Sequence, residues 1–373
     1  MNIPMVDLRT QYLNIKEKVD AAILECVSSS WFIGGPNVQA FSDNLEKYLK
    51  VKHVIPCANG TDALQIALMS LELEPGDEII LPAFTYVATA EVIALLGLKP
   101  VMIDVEIDTF NIKVDEIEAA VTPKTKAIVP VHLFGQIADM ESIMIIAEKY
   151  NLFVIEDNAQ AIGADYTFSD GTIKKGGTIG HIGCTSFYPS KNLGCYGDGG
   201  AIFTNSDKLG KKIQIIANHG QSRRYYHDEI GVNSRLDAVQ AVVLNIKLPL
   251  LDGYCQRRND AADYYDSSFA KIGNLIIPFR SKNSTHVFHQ YTLQVADGKR
   301  DELREYLKER RISSMIYYPV PLYKQNAYSH YSVEFELQNT EQLCKSVLSL
   351  PMHSELTDEQ LKYITDTVNE FFS

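Results

Sequence analysis

The chain has 373 residues and a mass of 41.8 kDa, enough for two domains or one large domain with a smaller companion. Hydrophobic residues make up 46 % and charged residues 22 %, a globular balance that excludes a disordered chain, a collagen-like repeat and a coiled coil. With 35 basic against 47 acidic residues the net charge is −12, which argues against nonspecific nucleic-acid binding and against an anionic membrane surface.

From about residue 38 short apolar runs alternate with amphipathic ones. The apolar runs 53–58, 78–82, 100–105, 127–133 and 153–156 read as strands. Segments 61–73, 86–96, 114–121 and 140–150 read as helices between them; Ala63, Leu64, Ala67, Leu68 and Leu71 show the helical spacing. A strand and a helix every 25 residues or so is the signature of a largely parallel sheet covered by helices. The runs barely alternate, as expected of strands buried on both faces. Residues 165–183 predict a loop or hairpin, and 183–187 and 201–204 two more strands. Segments 234–248 and 252–272 predict helices, with Pro249 as a stop for the first. Beyond about residue 274, strands (288–295, 314–318) mix with helices (300–310, 341–348, 358–371). The expected division is a large domain over 1–250 and a small α+β domain over 251–373, with the N-terminal segment packing on the small one.

Six cysteines (26, 57, 184, 195, 255 and 344) form no CxxC pair, and no His/Cys cluster has zinc spacing. The expectation is a reducing cytoplasm and no metal. No basic region followed by an apolar run opens the chain, so no signal peptide is expected, and no stretch reaches the ~20 apolar residues of a membrane span.

Three segments carry chemistry. In Cys57-Ala58-Asn59-Gly60-Thr61-Asp62 a strand ends, a glycine permits a tight turn and a helix begins. Asn59 is placed to cap that helix, with Asp62 three residues on as in a capping box. Such a start is either a capped helix or an anion cradle of free N–H groups. It is not GxGxxG, so a dinucleotide site lacks its fingerprint. In Phe153-Val154-Ile155-Glu156-Asp157 two carboxylates close an apolar strand. An ionised Asp in a cleft needs a cation, whether a metal, an arginine or a protonated ring nitrogen; otherwise it is a solvated or capping residue. In Ser186-Phe187-Tyr188-Pro189-Ser190-Lys191, leading into Gly197-Asp198-Gly199-Gly200, a lysine follows a strand among hydroxyls, aromatics and glycines. It is either a loop lysine or, with a lowered pKa, a Schiff-base nucleophile. A phosphate cradle, an acid for a ring nitrogen and a Schiff-base lysine together are the binding set of pyridoxal 5′-phosphate. Tyr86 lies near another strand end, where its ring could stack on the cofactor.

The combination resembles the DegT/DnrJ/EryC1/StrS family of nucleotide-sugar aminotransferases, over nearly the whole chain. The matching residues include Phe32-Ile33-Gly34-Gly35, Asn59-Gly60-Thr61, Phe84-Thr85-Tyr86, Glu156-Asp157, Gln160, Ser190-Lys191, Asn233-Ser234-Arg235 and Tyr318-Pro319. The resemblance implies the aspartate-aminotransferase-like α/β fold (fold type I). It implies that Lys191 bonds covalently to pyridoxal 5′-phosphate and shuttles protons, and that Asp157 holds the pyridine nitrogen protonated. Gln160 would bind the ring hydroxyl, and Gly60, Thr61 and Ser186 the phosphate. Asn233 would reach the phosphate of a neighbouring subunit, which makes a homodimer necessary. The sugar-dehydratase branch has His in place of Lys191, so the lysine points to transamination. The implied donor is L-glutamate and the implied acceptor a nucleotide-linked keto sugar. Residues 57–68, 94–105, 189–205, 219–226 and 232–241 look closest to aminotransferases acting on UDP-2-acetamido-2-deoxy-3-oxo-D-glucuronate, which serve bacterial surface polysaccharide. Arg235, with Tyr317 and Tyr318, is the candidate for the sugar carboxylate; the family commonly has His where this chain has Tyr317. The alternative is a 3- or 4-keto-6-deoxy sugar on dTDP, UDP or GDP, and beyond it a noncatalytic regulatory protein that binds the cofactor. A basic cluster, Arg223-Arg224 with His219 and His227, suits phosphate or is a solvated loop.

Overall fold

Two helices precede the sheet in this computed structural model, which describes residues 1–331 and 335–373. They are α1 (Leu8–Ser29) and α2 (Gly35–Leu49). Asp7 caps α1 by accepting the Thr10 N–H at 2.9 Å. Of α1 only Val19 and Cys26 are buried, so the sequence shows no apolar stripe there.

The α/β rhythm then unfolds as expected: β1 (His53–Cys57), α3 (Gly60–Met69), β2 (Glu78–Pro82), α4 (Ala88–Leu95), β3 (Lys99–Ile103), α5 (Val114–Ala120), β4 (Thr125–Ile128), α6 (Met140–Tyr150) and β5 (Phe153–Asp157). A hairpin follows, β6 (Asp165–Thr167) with β7 (Ile173–Lys175), then β8 (Ile182–Ser186), β9 (Gly200–Thr204) and α7 (Asp207–Ala217). A seven-stranded sheet has the order β1-β9-β8-β5-β4-β2-β3. It is parallel from β3 to β8; β9 is antiparallel to both β8 and β1. Every residue of β2 and β9 is buried, which explains why these runs do not alternate.

The register brings the candidate segments to one edge. Gly200 pairs with Ser186 on one side and with Cys57 on the other, while Asp157 pairs with Cys184. The C-terminal ends of β1, β8 and β5 therefore lie side by side, where open α/β sheets bind ligands.

A small exposed hairpin, β10 (Gln221–Arg223) and β11 (Tyr226–His227), holds the basic cluster. Then come α8 (Ala238–Lys247) and α9 (Leu251–Phe269). Pro249 lies in a single 3-10 turn that joins them, so it redirects the chain without a break. The remainder is β12 (Leu275–Ile276), β13 (Tyr291–Val295), α10 (Arg300–Glu309), α11 (Gln338–Ser346), β14 (Val347–Leu350) and α12 (Asp358–Phe372). The three strands form a separate antiparallel sheet. Its core includes Phe269, Tyr291, Leu303, Leu350 and Ile364, and Ile3 from the N-terminus joins it. Helix α9 spans two cores: Leu251 and Cys255 pack with the large sheet, Ala262 and Tyr265 with the small one.

Two expectations are corrected. Residues 314–318 are no strand: only Met315 exchanges hydrogen bonds with Ser349, at 3.1 and 2.7 Å, and the aromatic residues beyond turn to the large sheet. Residues 347–348 belong not to a helix but to β14, where Val347-Leu348-Ser349-Leu350 is wholly buried and pairs with β13.

Candidate active site

Asn59 accepts the Asp62 N–H at 2.8 Å and caps α3. The capping box is not completed, because the Asp62 carboxylate turns to Ser234, whose hydroxyl donates to it at 2.6 Å. Ser234 also accepts the Ala58 N–H at 3.0 Å, so a residue far along the chain braces this turn. The N–H groups of Gly60 and Thr61 lie in the first turn, beyond reach of any carbonyl within the helix. Position 60 has no room for a side chain: a Cβ there would stand 2.7 Å from the Ser186 Cβ. The result is a cradle of backbone donors, a helix N-terminus and the Ser186 hydroxyl.

Asp157 ends β5 and is only 7 % exposed. Its Oδ2 accepts the Thr89 hydroxyl at 2.9 Å, and its Oδ1 accepts the Ala159 N–H at 3.2 Å. Burial raises its pKa; the two donors and the nearby Lys191 and His132 oppose that. Lys191 is half-buried, and burial lowers its pKa to about 8 against the pull of Asp157. Desolvation thus pushes both groups toward their neutral forms. A lysine near pKa 8 has a usable fraction of free amine at neutral pH.

The lysine loop is tightly held. Phe187 N–H donates to Gly199 O at 2.7 Å and Cys195 N–H to Phe187 O at 2.8 Å. Helix α8 grips it twice: Gln240 Oε1 accepts the Tyr196 N–H at 2.8 Å, and the buried Lys247 donates to Gly194 O at 2.8 Å. Lys247 also lies over the Tyr196 ring, and burial lowers its pKa to about 8.

Gln160 is largely committed. Its Oε1 accepts the Phe134 N–H at 2.8 Å and its Nε2 donates to the Tyr318 hydroxyl at 3.2 Å. One Nε2 proton remains for a ligand. The Tyr318 ring lies 6.2 Å from that of Tyr86 and 6.0 Å from that of Tyr317. Tyr86 is 57 % exposed. The structure thus gathers Gly60, Thr61 and Ser186 at one point, and links Asp157 with Lys191, Gln160 with Tyr318, and Tyr318 with Tyr86 and Tyr317.

Asn233 and Arg235 flank Ser234, which braces the cradle turn. Both are exposed; Asn233 bridges to Asn218, and Arg235 lines a cavity of about 470 Å³ walled by α2, β1 and α7. No residue of the lysine loop and neither Asp157 nor Gln160 lines that cavity.

Sequence reasoning gave no role to four residues, although it noted Glu156 as a strand-end carboxylate. Thr89 is fully buried on Asp157. His289 is buried with no hydrogen-bond partner for Nδ1 among the described residues, and burial with the Lys191 and Arg258 cations keeps it neutral. Glu156 accepts N–H groups from Gly177, Ile179 and Gly180 at 2.8, 2.6 and 2.6 Å and bonds His132 at 2.8 Å. Lys247 is the fourth.

The profile of the DegT/DnrJ/EryC1/StrS aminotransferase family matches residues 13–369. The chain belongs to this family. A UDP-2-acetamido-2-deoxy-3-oxo-D-glucuronate aminotransferase of Pseudomonas aeruginosa is 45 % identical over 362 residues, 97 % of this chain and 98 % of that protein. A pleiotropic regulatory protein of Geobacillus stearothermophilus is 46 % identical over 375 residues, 100 % of this chain and 99 % of that protein. The crystal structure of a family aminotransferase from Brucella abortus superposes with a TM-score of 0.95 at 40 % identity, covering 100 % of both chains. The protein has fold type I and is an aminotransferase that uses pyridoxal 5′-phosphate.

The residues present fit that cofactor. The cradle at Gly60 suits its phosphate. Asp157 has no cationic side chain bonded to it among the described residues, which leaves its charge for a pyridinium nitrogen. Thr85 Oγ1 is buried without a hydrogen-bond partner among the described residues, in the same strand-end segment as Tyr86.

Proposed function

We propose that the protein transfers an amino group from L-glutamate to the keto group of a nucleotide-linked sugar, with UDP-2-acetamido-2-deoxy-3-oxo-D-glucuronate as acceptor, for bacterial surface polysaccharide. One observation carries the catalytic part: a lysine near a buried carboxylate whose hydrogen-bond partners among the described residues are only the Thr89 hydroxyl and the Ala159 N–H, with burial lowering the lysine pKa to about 8. The full-length identity to the Pseudomonas aeruginosa aminotransferase supports the choice of sugar. A regulatory protein of this fold would have no use for a neutral-leaning lysine, although the Geobacillus stearothermophilus relative bears such a name.

Bound pyridoxal 5′-phosphate supplies an electron sink that withdraws negative charge from the carbon losing its proton. The chain's own residues do the rest. Lys191 would anchor the cofactor, and its free Nζ would accept and return the proton. Asp157 holds the ring nitrogen protonated. Gly60, Thr61 and Ser186 bind the phosphate, Gln160 binds the ring hydroxyl and Tyr86 covers the ring face. Asn233, exposed in this chain, serves the phosphate of a second copy in a homodimer. Arg235, with Tyr317 and Tyr318, meets the sugar carboxylate. The division at about residue 250 and a cytoplasmic location belong to the same reading; no helix among the described residues is long and apolar enough to cross a membrane.

A second reading, a 3- or 4-keto-6-deoxy sugar nucleotide, draws on Tyr317, a half-buried phenol where the family commonly has His. Assays with both acceptors separate them. Arg235→Ala should cut turnover of the uronate at least tenfold more than that of the 6-deoxy analogue. Equal losses would assign Arg235 another role.

A further inference from the structure

We propose that Thr89 is a positioning residue that keeps Asp157 ionised and aimed at the cofactor's ring nitrogen. This rests on the reading of Asp157 given above. Thr89 lies in the first turn of α4, is 1 % exposed, and spends its hydroxyl on Asp157 Oδ2 at 2.9 Å. Asp157 is itself 7 % exposed, and burial is the largest influence on it, favouring the neutral acid. A neutral acid has no charge to hold a pyridinium proton. The site therefore needs donors that reward the anion, and Asp157 receives two. The Ala159 N–H on Oδ1 is set by the turn after β5 and is longer, at 3.2 Å. The Thr89 hydroxyl is the shorter bond and comes from a different element, so it fixes the carboxylate in rotation as well as in charge. Its partner lies 68 residues away in sequence, and the bond ties α4 to the end of β5.

The other charges near Asp157 do not replace it. Lys191 lies close enough to lower the Asp157 pKa, but that amine is itself pushed toward neutrality and is taken up by the cofactor. His132 is the smallest of the named influences on Asp157, and its Nε2 is engaged by Glu156 at 2.8 Å. Thr89 touches neither substrate nor cofactor in this account and acts only through Asp157.

Thr89→Val keeps the side-chain shape and deletes the donor. The probes are pyridoxal 5′-phosphate and its 1-deaza analogue, in which carbon replaces the ring nitrogen. Both share the phosphate, the hydroxyl and the aldehyde, so their affinity ratio for the apoenzyme isolates the Asp157 contact. It is read by equilibrium dialysis, without turnover. Wild type should prefer the natural cofactor, and Thr89→Val should lose about 10-fold of that preference, the value of one hydrogen bond to a charged group. Thr89→Ser should restore most of it, and Asp157→Asn should abolish it. If Thr89→Val does not fold by circular dichroism, Thr89→Ala carries the same expectation. An unchanged ratio in the variant, with both affinities lowered alike, would make Thr89 structural and overturn the inference while the Asp157 reading stands. Equal affinities for the two probes in wild type would overturn both.

Discussion

A lysine that leans toward its neutral form should take up the cofactor at neutral pH. Burial brings Lys191 from 10.5 to about 8. At pH 7 that leaves roughly 10 % of the amine free, against about 0.03 % for an ordinary lysine, a gain of roughly 300-fold in nucleophile. The assay is stopped-flow uptake of pyridoxal 5′-phosphate by the apoenzyme between pH 6 and 10. The rate should rise about tenfold per pH unit and level off above pH 8. Because the Asp157 charge works against the depression, Asp157→Asn should move the midpoint below 8. A rate that climbs without a break to pH 10 would refute the argument that burial activates this lysine.

Three further outcomes follow from the geometry. In Gly60→Ala the new Cβ meets Ser186 Cβ at 2.7 Å, so cofactor affinity should fall at least about tenfold with the circular dichroism unchanged; wild-type affinity would remove Gly60 from the cradle. Lys247 carries a folded-state pKa lowered to about 8, so between pH 8 and 10.5 the unfolded chain binds more protons there and the contribution to stability rises with pH. Relative to Lys247→Met, wild type should therefore gain up to about 3 kcal/mol across that range in urea melts, and a pH-independent difference would show that Lys247 is not depressed. Glu156→Gln replaces an acceptor of two buried N–H groups and one partly buried N–H with an amide that can satisfy fewer of them, and should cost about 2 kcal/mol or more in the same melts; a neutral effect would contradict the bonding around Glu156.

What the sequence reveals depends on how local the cause is. The alternation of buried strands and capped helices from β1 to β5 is written in consecutive residues, and so are the Asn59 cap, the Asp157 strand end and the Lys191 loop. Helix α1 is illegible because most of it faces outward, with Val19 and Cys26 its only buried residues. The run Met315-Ile316-Tyr317-Tyr318 looks like a strand because it is apolar, but its aromatic residues pack against the cluster of Phe84, Phe110 and Phe134, and among the described residues only Met315 pairs. Thr89 and Lys247 bond residues 68 and 53 positions away in sequence, and His289 feels Lys191 from 98 positions away, by position rather than motif. Thr89 alone had a local clue, three residues after Tyr86 on the same strand-to-helix passage. That Ser234, next to Arg235, braces the turn at Ala58 and Asp62 is a tertiary fact that no spacing in the chain could give.

The central claim, a lysine-anchored cofactor that accepts an amine, is tested most directly by the absorbance spectrum of the purified protein before and after L-glutamate, with no sugar present. The account predicts a visible cofactor band that bleaches to the ultraviolet band of the aminated cofactor on adding the donor. A band that persists unchanged would contradict glutamate as the donor, and the absence of any band after added pyridoxal 5′-phosphate would contradict the roles given to Lys191 and Asp157.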